Sequence, residues 1–371
     1  MTPLTDLPLR ENRVVVAMSG GVDSSVAAAL LVEEGYEVVG MMMRLWSEPG
    51  KGDNPPANRC CTIDQMVDAR RVADRLNIPF YVIDVQEQFR RSIVQFFIEE
   101  HERGRTPNPC LECNRKIRFT HLLNQALALE AQYLATGHYA RLEKTAVGYR
   151  VLQGIDSAKD QAYVLHMLTQ AHLAHLKFPV GEYTKAEVRE LAAKFKLPVA
   201  SKSESQDLCF LGDGDYRRFL REYGQAIQPG PILDETGREL GQHEGLPFYT
   251  IGQRKGLGLA VPEPLFVLRK DAARNAIIVG PREALGQREL FARQVNWIAG
   301  SPPPPDQPIQ VKIRYKAQPV DGWVKMVEGE GENGRCHITL AEPVHGITAG
   351  QGAVIFDGPI CLGGGIIADN P

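Results

Sequence analysis

RVVVAMSGGVDSS, residues 13–25, is the stretch that decides the fold of this chain. Its first five residues are mostly β-branched and predict a buried strand, and the glycine-rich turn after them leads into a helical pattern over residues 24–34. Further along the chain, buried strands are predicted at 36–43, 80–85 and 132–138, and helices at 64–77, 87–103 and 117–130. Strands that alternate with helices predict an α/β fold with a parallel sheet covered on both faces.

The turn at residues 17–25 has the composition of a phosphate-binding loop. Its glycines let backbone amides approach an anion closely, the start of the helix favours negative charge, and Ser19, Ser24 and Ser25 add hydroxyl donors. A carboxylate among such groups is favourable when a divalent cation lies between it and the phosphates, so Asp23 is predicted to bind Mg²⁺. The loop matches neither a Walker A loop nor the G-x-G-x-x-G of dinucleotide binders. The alternative is a glycine turn with a capping serine and no ligand.

Length and composition restrict the rest of the chain. At 371 residues it is too long for one ordinary core, and 43% hydrophobic with 23% charged residues is typical of folded proteins. No apolar run is long enough to span a bilayer and the N-terminus has no signal-peptide pattern, so we expect a cytoplasmic protein with no membrane partner. A net charge of −3 limits nucleic-acid binding to local basic segments such as residues 101–120.

The character of the sequence changes twice and predicts three domains. The α/β pattern occupies residues 1–205, and Thr184 and Glu187 in its last helix have the spacing of a capping box. Glycine-rich short strands then predict a small α+β domain at 206–280. Residues 281–371 contain several short alternating strands and predict an antiparallel β-barrel.

Three of the seven cysteines stand in unusual surroundings. Cys110 and Cys113 lie in the turn-like stretch TPNPCLECNRK, and Cys209 lies at the predicted domain boundary. They are open to three interpretations: ordinary buried thiols, sulfur-transferring thiolates favoured by the cations Arg115 and Lys116, or ligands of an iron–sulfur cluster or zinc ion. A structural disulfide is not expected in a reducing compartment.

SGGVDSS is identified as the pyrophosphate-loop signature of the ATP pyrophosphatase superfamily, which implies cleavage of ATP between the α and β phosphates. Together with other motifs it resembles, in the same order and over nearly the whole chain, the tRNA-specific 2-thiouridylase family. The motifs that carry this resemblance are GRTPNPCLECNRKIRF (104–119), ATGHYAR (135–141), DSAKDQAYVL (156–165), FPVGEYTKAEVRELA (178–192), DLCFLGDGDYRRFL (207–220), PGPILDETGRELGQHEGLPFYTIGQRKGLGL (229–259), RYKAQP (314–319) and CLGGGII (361–367). The resemblance implies an N-terminal pyrophosphate-loop domain, a small central domain and a C-terminal β-barrel.

The resemblance also implies the reaction and its partners. ATP, a protein-borne sulfur and tRNA give 2-thiouridine at the wobble position, usually in lysine, glutamate and glutamine tRNAs. Adenylation of the uracil O2 turns it into a good leaving group, a persulfide or hydrosulfide then attacks C2, and AMP leaves. A cysteine desulfurase or a sulfur-relay protein would supply the sulfur.

Residue roles follow from the resemblance position by position. Cys209 would carry the persulfide, Cys113 would attack it or pair with Cys209, and Asn108, Pro109 and Cys110 would surround the target base. The ATP-binding residues would be Ala17, Met18, Ser19, Gly20, Gly21, Val22, Asp23, Ser24, Met43 and Gly137. The tRNA-binding residues would be His138, Lys159, Asp160, Gln161, Arg314, Tyr315 and Gln351.

One position departs from the family pattern. Many members have an aspartate where this chain has Cys110, and that aspartate is assigned a base-like or positioning role. The substitution completes the trio of Cys110, Cys113 and Cys209, and resembles thiolating relatives in which three cysteines hold a [4Fe-4S] cluster. Persulfide delivery and cluster delivery of sulfur are therefore both open.

The remaining cysteines and one basic loop receive simpler interpretations. Cys60 and Cys61 begin a helix, where packing or a tRNA contact is favoured over zinc binding. Cys336 and Cys361 lie in apolar strand patterns and are expected in the core. The glycine-rich loop 252–259 places two cations where a tRNA phosphate could be bound; these are Arg254 and Lys255.

Two other functions compete with thiolation. An amide-forming synthetase that uses ammonia would explain the loop at 17–25 but not the cysteine trio. A non-catalytic RNA-binding protein with a relic loop would not need Asp23, which is intact.

Overall fold

The structure is a computed structural model, and it describes residues 9–49, 62–203, 208–225, 227–329 and 333–369. No helix within these ranges is both long enough and apolar enough to cross a bilayer. Cys60 and Cys61 lie outside the described residues, so their interpretation stays a prediction.

Strands and short or medium helices alternate through the first half of the chain, and strands dominate the second half. The strands are β1 (Arg10–Ala17), β2 (Glu37–Arg44), β3 (Phe80–Asp84), β4 (Ala131–Ala135), β5 (Ala140–Thr145), β6 (Gly148–Gln153), β7 (Leu176–Lys177), β8 (Gly230–Asp234), β9 (Glu239–His243), β10 (Phe266–Asp271), β11 (Ala276–Gly280), β12 (Gly286–Trp297), β13 (Ile309–Lys312), β14 (Val320–Glu328), β15 (Arg335–His345), β16 (Gly352–Asp357) and β17 (Ile360–Ile367). The helices are α1 (Val22–Glu33), α2 (Ile63–Leu76), α3 (Gln86–Phe89), α4 (Gln95–Glu102), α5 (Pro109–Glu112), α6 (Leu123–Ala128), α7 (Gln170–Leu173), α8 (Lys185–Lys194) and α9 (Tyr216–Tyr223). Short 3₁₀ helices occur at Ala162–Leu165, Leu246–Phe248 and Arg282–Leu285.

The N-terminal sheet has the strand order β3-β2-β1-β4-β7, and all neighbouring strands are parallel. The central strand β1 is buried on both faces, since Val14, Val15 and Val16 are each 0% exposed. Val15 belongs to one apolar cluster and its neighbours Val14 and Val16 to another, so the sheet separates two cores. The predicted parallel sheet with cover on both faces is confirmed.

Local capping signals define several helix starts. Thr184 accepts a hydrogen bond from the Glu187 backbone N–H and Glu187 bonds back to Thr184, so the capping box predicted for α8 is confirmed. Thr62 and Gln65 form the same motif at α2. Each such N-cap stabilises its helix by about 1 kcal/mol.

The helix that carries two of the cysteines begins earlier than the sequence pattern indicates. Helical pattern alone predicts it from residue 117, whereas α5 begins at Pro109 and continues through a π-helical stretch, Cys113–Leu122, into α6. Asn108 is the N-cap and accepts a hydrogen bond from the Cys110 backbone N–H at 3.1 Å, with proline at the first helical position. Cys110 and Cys113 therefore lie in the first turns of a helix and not in a turn.

Two further sheets complete the fold. The middle sheet has the order β10-β11-β8-β9. The C-terminal strands β12-β15-β14-β13-β16-β17 close into a six-stranded antiparallel barrel through pairing of β12 with β17. The α/β domain, the small central sheet and the barrel agree with the predicted fold class.

A hairpin from the first half of the chain extends the barrel. Strands β5 and β6 pair with each other, and β6 pairs with β17 through Leu152 opposite Ile360 and Val151 opposite Cys361. The sequence did not predict this connection, because strand pairing between distant segments leaves no local pattern. The hairpin attaches the barrel directly to the segment that follows β4.

Candidate active site

The glycine-rich loop connects the end of β1 to the start of α1 at the carboxyl edge of the parallel sheet. Gly20 has a φ of 69°, and a Cβ atom there would overlap the carbonyl oxygen of Gln65 on α2. Gly137 follows β4, and a Cβ atom there would lie 2.7 Å from the Ser24 backbone nitrogen. Both positions therefore require glycine, which brings the backbone of three segments together around the start of α1.

The predicted ATP-binding residues lie together at this edge. Ala17 to Ser24 form the loop and the start of α1, Met43 is buried near the carboxyl end of β2, and Gly137 contacts α1. Carboxyl ends of parallel strands are the usual ligand-binding edge of such sheets. The structure thus brings the predicted set to one edge of the sheet, where Met18, Val22 and Met43 are buried, and the ATP-binding role stays a prediction.

The serines of the loop divide into two groups. The Ser24 hydroxyl accepts from the Ser19 backbone N–H at 3.2 Å and lies 3.2 Å from the Ser19 hydroxyl. Ser25 is fully buried and its hydroxyl donates to the Gly21 carbonyl at 2.7 Å. Ser24 is 5% exposed and its hydroxyl also lies 3.4 Å from the Gly21 carbonyl, so both serines hold the first turn of α1. Ser19 is exposed and is the better candidate for contact with an anion.

Asp23 is bound by an ammonium group from a distant helix. Its Oδ1 accepts from Lys185 Nζ at 2.5 Å and from the Tyr139 hydroxyl at 2.8 Å. The Lys185 side chain is 12% exposed and follows the N-cap of α8. In this structure a lysine ammonium lies beside Asp23, whereas the sequence argument predicts a divalent cation there.

Asp23 remains compatible with Mg²⁺ when ATP phosphates supply the other ligands. Magnesium sites at phosphates commonly use one or two protein carboxylates together with phosphate oxygens and water. Among the residues that the structure describes, no group of three or more His, Cys, Asp or Glu side chains could hold a metal by itself. Magnesium binding at Asp23 therefore stays a prediction that depends on ATP.

A second lysine contacts the loop backbone. Lys202 Nζ donates to the Gly20 carbonyl at 2.9 Å and to Asp68 Oδ2 on α2 at 2.7 Å. Sequence reasoning missed Lys185, Lys202 and Tyr139, because only the folded topology brings them to the loop. The available signals were that Tyr139 and Lys185 lie in motifs shared with the family, ATGHYAR (135–141) and FPVGEYTKAEVRELA (178–192).

The segment before the paired cysteines is hydrogen-bonded to the barrel. The Thr106 backbone N–H donates to the Ala349 carbonyl at 2.9 Å, and the Asn108 backbone N–H donates to the Gly350 carbonyl at 3.3 Å. Gln351 Nε2 donates to the Thr106 carbonyl at 2.8 Å. These bonds fix the start of α5, and with it Pro109 and Cys110, against the barrel loop that carries Gln351.

The three site cysteines differ in exposure. Cys110 is exposed, whereas Cys113 and Cys209 are half-buried and pack against the same apolar core. Within the described ranges these cysteines do not form a ligand set for a metal. Persulfide delivery and cluster delivery of sulfur therefore both stay predictions.

The two cations after Cys113 are bound by a neighbouring carboxylate. Glu112 is 3% exposed, and its Oε1 and Oε2 lie 2.6 Å from Arg115 Nη2 and 3.2 Å from Lys116 Nζ. The single negative charge of Glu112 offsets one of their two positive charges. Arg115 and Lys116 are thus weaker stabilisers of a Cys113 thiolate than the sequence alone suggests.

Two of the predicted tRNA contacts are largely buried. His138 lies 2.7 Å from Thr136 Oγ1 and 3.3 Å from Arg118 Nη1, and burial together with Arg118 holds its pKa well below the usual range. Asp160 accepts backbone bonds at 3.1 and 3.0 Å, and burial raises the pKa of its carboxyl group. Asp160 therefore holds the local backbone, and His138 lies against the side chains of Thr136 and Arg118. The tRNA-binding role of both residues stays a prediction.

The other predicted tRNA contacts lie nearer the surface. Lys159 is half-buried, Arg314 is exposed, and the Tyr315 ring packs edge-on against Tyr163 with centroids 6.1 Å apart. Gln161 Oε1 accepts from the Tyr139 backbone N–H at 3.0 Å, so it supports the tyrosine that bonds Asp23. The RNA-binding role of these residues stays a prediction.

The remaining cysteine interpretations agree with the structure. Cys336 is 0% exposed and Cys361 is 1% exposed. Burial raises the pKa of each thiol to about 12. Both are core residues, as predicted.

The fold and the loop define the class of protein. The N-terminal part is an ATP-utilising pyrophosphate-loop domain, and a small central domain and a β-barrel follow it in the same chain. Family models match in three consecutive parts. The tRNA methyl transferase HUP domain matches residues 12–213, the tRNA methyl transferase PRC-barrel domain residues 217–281, and the aminomethyltransferase beta-barrel domain residues 287–367.

The chain belongs to the tRNA-specific 2-thiouridylase family. It is 48% identical over 359 residues to tRNA-specific 2-thiouridylase MnmA of Moorella thermoacetica, covering 95% of this chain and 98% of the relative. The proteins of the same name from Chloroflexus aggregans and Magnetococcus marinus are also 48% identical, each with 96% of this chain and 98% of the relative covered. The family resemblance stated from the motifs is confirmed, and with it the assignment to the sulfurtransferase enzymes.

Proposed function

We propose that this protein uses ATP to activate the wobble uridine of lysine, glutamate and glutamine tRNAs and replaces its O2 with sulfur. The observation that carries the proposal is the combination, in one chain, of the loop around Asp23 with Cys113 and Cys209 on a shared core. An amide-forming synthetase would not need Cys113 and Cys209. A non-catalytic protein with a relic loop would not need the ion pair between Lys185 and Asp23.

In the first step the uracil O2 attacks the α-phosphorus of ATP, a new O–P bond forms, and the bond to pyrophosphate breaks. Backbone amides of the loop and the start of α1 bind the departing phosphates. The ammonium groups of Lys185 and Lys202 lie at the same loop and offset the developing negative charge. Mg²⁺ between Asp23 and the phosphates would supply further charge stabilisation.

In the second step sulfur passes from Cys209 to the base. Cys209 carries a persulfide, and the Cys113 thiol attacks its inner sulfur, which gives a Cys113–Cys209 disulfide and releases hydrogen sulfide. Hydrogen sulfide attacks C2 of the activated uridine, and AMP leaves with the former O2. A dithiol reductant then restores the two thiols, so that electrons balance over the cycle.

The two partners would use different parts of the protein. The anticodon loop of tRNA would lie across α5 and the exposed Arg314 of the barrel, because single-stranded bases can be gripped one at a time. A cysteine desulfurase or a sulfur-relay protein would load Cys209. Residues 1–205 would form the catalytic domain, residues 206–280 a connecting domain and residues 281–371 the tRNA-binding domain. The protein would act in the cytoplasm.

The test is a reconstituted reaction with anaerobically purified protein, unmodified tRNA transcript, ATP, Mg²⁺ and a persulfide donor. We expect AMP, pyrophosphate and 2-thiouridine in equal amounts, with sulfur transfer that does not require bound iron. The buried thiol variant Cys336→Ala serves as a control. Ammonia-dependent product without thiolated nucleoside would contradict the proposal in favour of an amide synthetase.

A further inference from the structure

The segment that carries Cys209 is anchored on its C-terminal side by aromatic packing. Phe210 is 1% exposed, and its ring centroid lies 5.3 Å from that of Phe97 and 5.5 Å from that of Phe219 on α9. Leu211 is 2% exposed. The residues directly after Cys209 are therefore fixed in the core, and the next question is what fixes the turn that follows them.

A bidentate ion pair fixes the turn that begins at Gly212. Arg218, in the first turn of α9, donates from Nη1 to Glu48 Oε1 at 2.9 Å and from Nη2 to Glu48 Oε2 at 2.7 Å. Glu48 is 6% exposed, and its Oε2 also accepts from the Gly212 backbone N–H at 3.3 Å. One carboxylate thus binds both the helix and the backbone three residues after Cys209.

The same guanidinium also binds carboxylates on its own side of the turn. Arg218 donates from Nε to Asp213 Oδ2 at 2.7 Å and from Nη1 to Glu222 Oε2 at 2.7 Å. Hydrogen bonding to Arg218 lowers the pKa of Asp213 to about 2. A planar guanidinium can serve several acceptors in fixed directions, which a lysine ammonium cannot do.

Glu48 belongs to the segment that leaves the nucleotide edge of the sheet. It follows β2, whose buried Met43 is a predicted ATP contact, and Trp46 between them packs edge-on against Phe219 and Tyr223 with centroids 6.4 and 5.9 Å apart. The ion pair therefore ties the exit of β2 to the turn after Cys209.

We infer that Glu48 and Arg218 are positioning residues, which hold Cys209 at the distance and angle that sulfur transfer at the nucleotide edge requires. The inference rests on the proposed role of Cys209 as sulfur carrier. Displacing a reacting atom by about 1 Å can cost on the order of 100-fold in rate, so a loosened turn should slow transfer without changing ATP chemistry.

The experiment compares Arg218→Lys, Glu48→Gln and the control Arg221→Lys. Arg221 lies on the same helix and pairs with Glu244, but both side chains are at least half exposed. Three quantities are measured: AMP formation with tRNA, sulfur loading on Cys209 from a labelled persulfide donor, and the single-turnover rate of transfer from preloaded enzyme. In Arg218→Lys and Glu48→Gln we expect the rate of AMP formation, the sulfur loading of Cys209 and the KM for tRNA to stay within about twofold of wild type. The single-turnover rate of sulfur transfer should fall roughly 10- to 100-fold in both variants.

Two outcomes overturn the inference. In the first, Arg218→Lys transfers sulfur at the wild-type rate. In the second, AMP formation, sulfur loading and sulfur transfer fall equally and the Tm falls with them, which would mean that the Glu48–Arg218 ion pair only stabilises the fold.

A readout that needs no activity separates this inference from the proposed function. Maleimide labelling of Cys209, followed by peptide mass spectrometry, should be several-fold faster in Arg218→Lys than in Arg221→Lys, because the turn is released. Faster labelling in a protein whose wild type forms no 2-thiouridine would reject the function and keep the positioning role. Equal labelling of the two variants would reject the positioning role.

Discussion

The two ends of the candidate site are built in opposite ways. The phosphate end is centred on one continuous stretch, the loop between β1 and α1, against which Gln65 and Gly137 pack and to which Lys185 and Lys202 add charge. The sulfur end is assembled from separate segments: the start of α5, the turn around Cys209, and the barrel loop that holds Thr106. The comparison teaches that the first end has a local backbone frame that distant residues complete, whereas the second has no such local frame and is formed by contacts between distant parts of the chain.

The largest effect is expected at the sulfur end. Cys209→Ala removes the proposed sulfur carrier, so 2-thiouridine formation should fall at least ~1,000-fold while tRNA-dependent pyrophosphate release continues. Nucleoside analysis and pyrophosphate assay on the same samples check this. Cys336→Ala should retain thiolation, and thiolation by Cys209→Ala at near the wild-type rate would break the proposed division between the two ends.

The backbone shape of the phosphate end is tested by Gly20→Ala. The new Cβ overlaps the Gln65 carbonyl at a φ of 69°, so we expect loss of ~1–3 kcal/mol in the free energy of unfolding and at least ~10-fold weaker ATP binding. Gly35→Ala is the matched control, since its φ is 87° and no atom lies within 4 Å of the new Cβ. Urea unfolding and calorimetric ATP titration measure both. If the two variants behave alike, the crowding at Gly20 is not what shapes the loop.

The charge at the phosphate end is tested by Lys185→Met. Loss of the buried ammonium should lower the rate of AMP formation about 10- to 100-fold, because charge on the departing pyrophosphate loses a fixed partner. Lys194→Met on the same helix removes a lysine whose side chain is 61% exposed and should leave the rate within twofold. Equal rates for the two variants would contradict the assigned role of Lys185.

The smallest effect is expected for Cys110→Asp. This substitution restores the residue that many family members have, at an exposed position that the structure does not join to a metal-ligand set. Thiolation should remain within about fivefold of wild type, with no dependence on iron, because a carboxylate can take over a positioning role. Loss of thiolation together with loss of protein-bound iron would instead establish the cluster route.

Much of the phosphate end could be predicted from sequence, because its signals are local. A β-branched run, a glycine turn and a capping box specify β1, the loop and α8 within a few residues of chain. The lysine that bonds Asp23 could not be found in this way, since Lys185 is 162 positions from Asp23 and no periodicity joins them. Gly137 was predicted to bind ATP from the resemblance alone. The structure adds the reason that this residue is a glycine, because a Cβ atom there would lie too close to the Ser24 backbone nitrogen.

The sulfur end was less predictable. The stretch around Cys110 was interpreted as a turn because of its prolines, whereas Asn108 and Pro109 are the start signals of a helix. The pairing of β6 with β17 and the ion pair of Glu48 with Arg218 join segments far apart in the chain, and no local sequence pattern predicts such contacts. Burial of His138 and Asp160 likewise follows from packing that a linear pattern does not contain.

The central claim is that ATP activates the uracil O2, and isotope transfer tests it most directly. A tRNA whose target uridine carries ¹⁸O at O2 is incubated with enzyme, ATP and a persulfide donor, and the AMP is analysed by mass spectrometry. The account predicts one ¹⁸O atom in AMP for each 2-thiouridine formed. Thiolated tRNA with unlabelled AMP would contradict it.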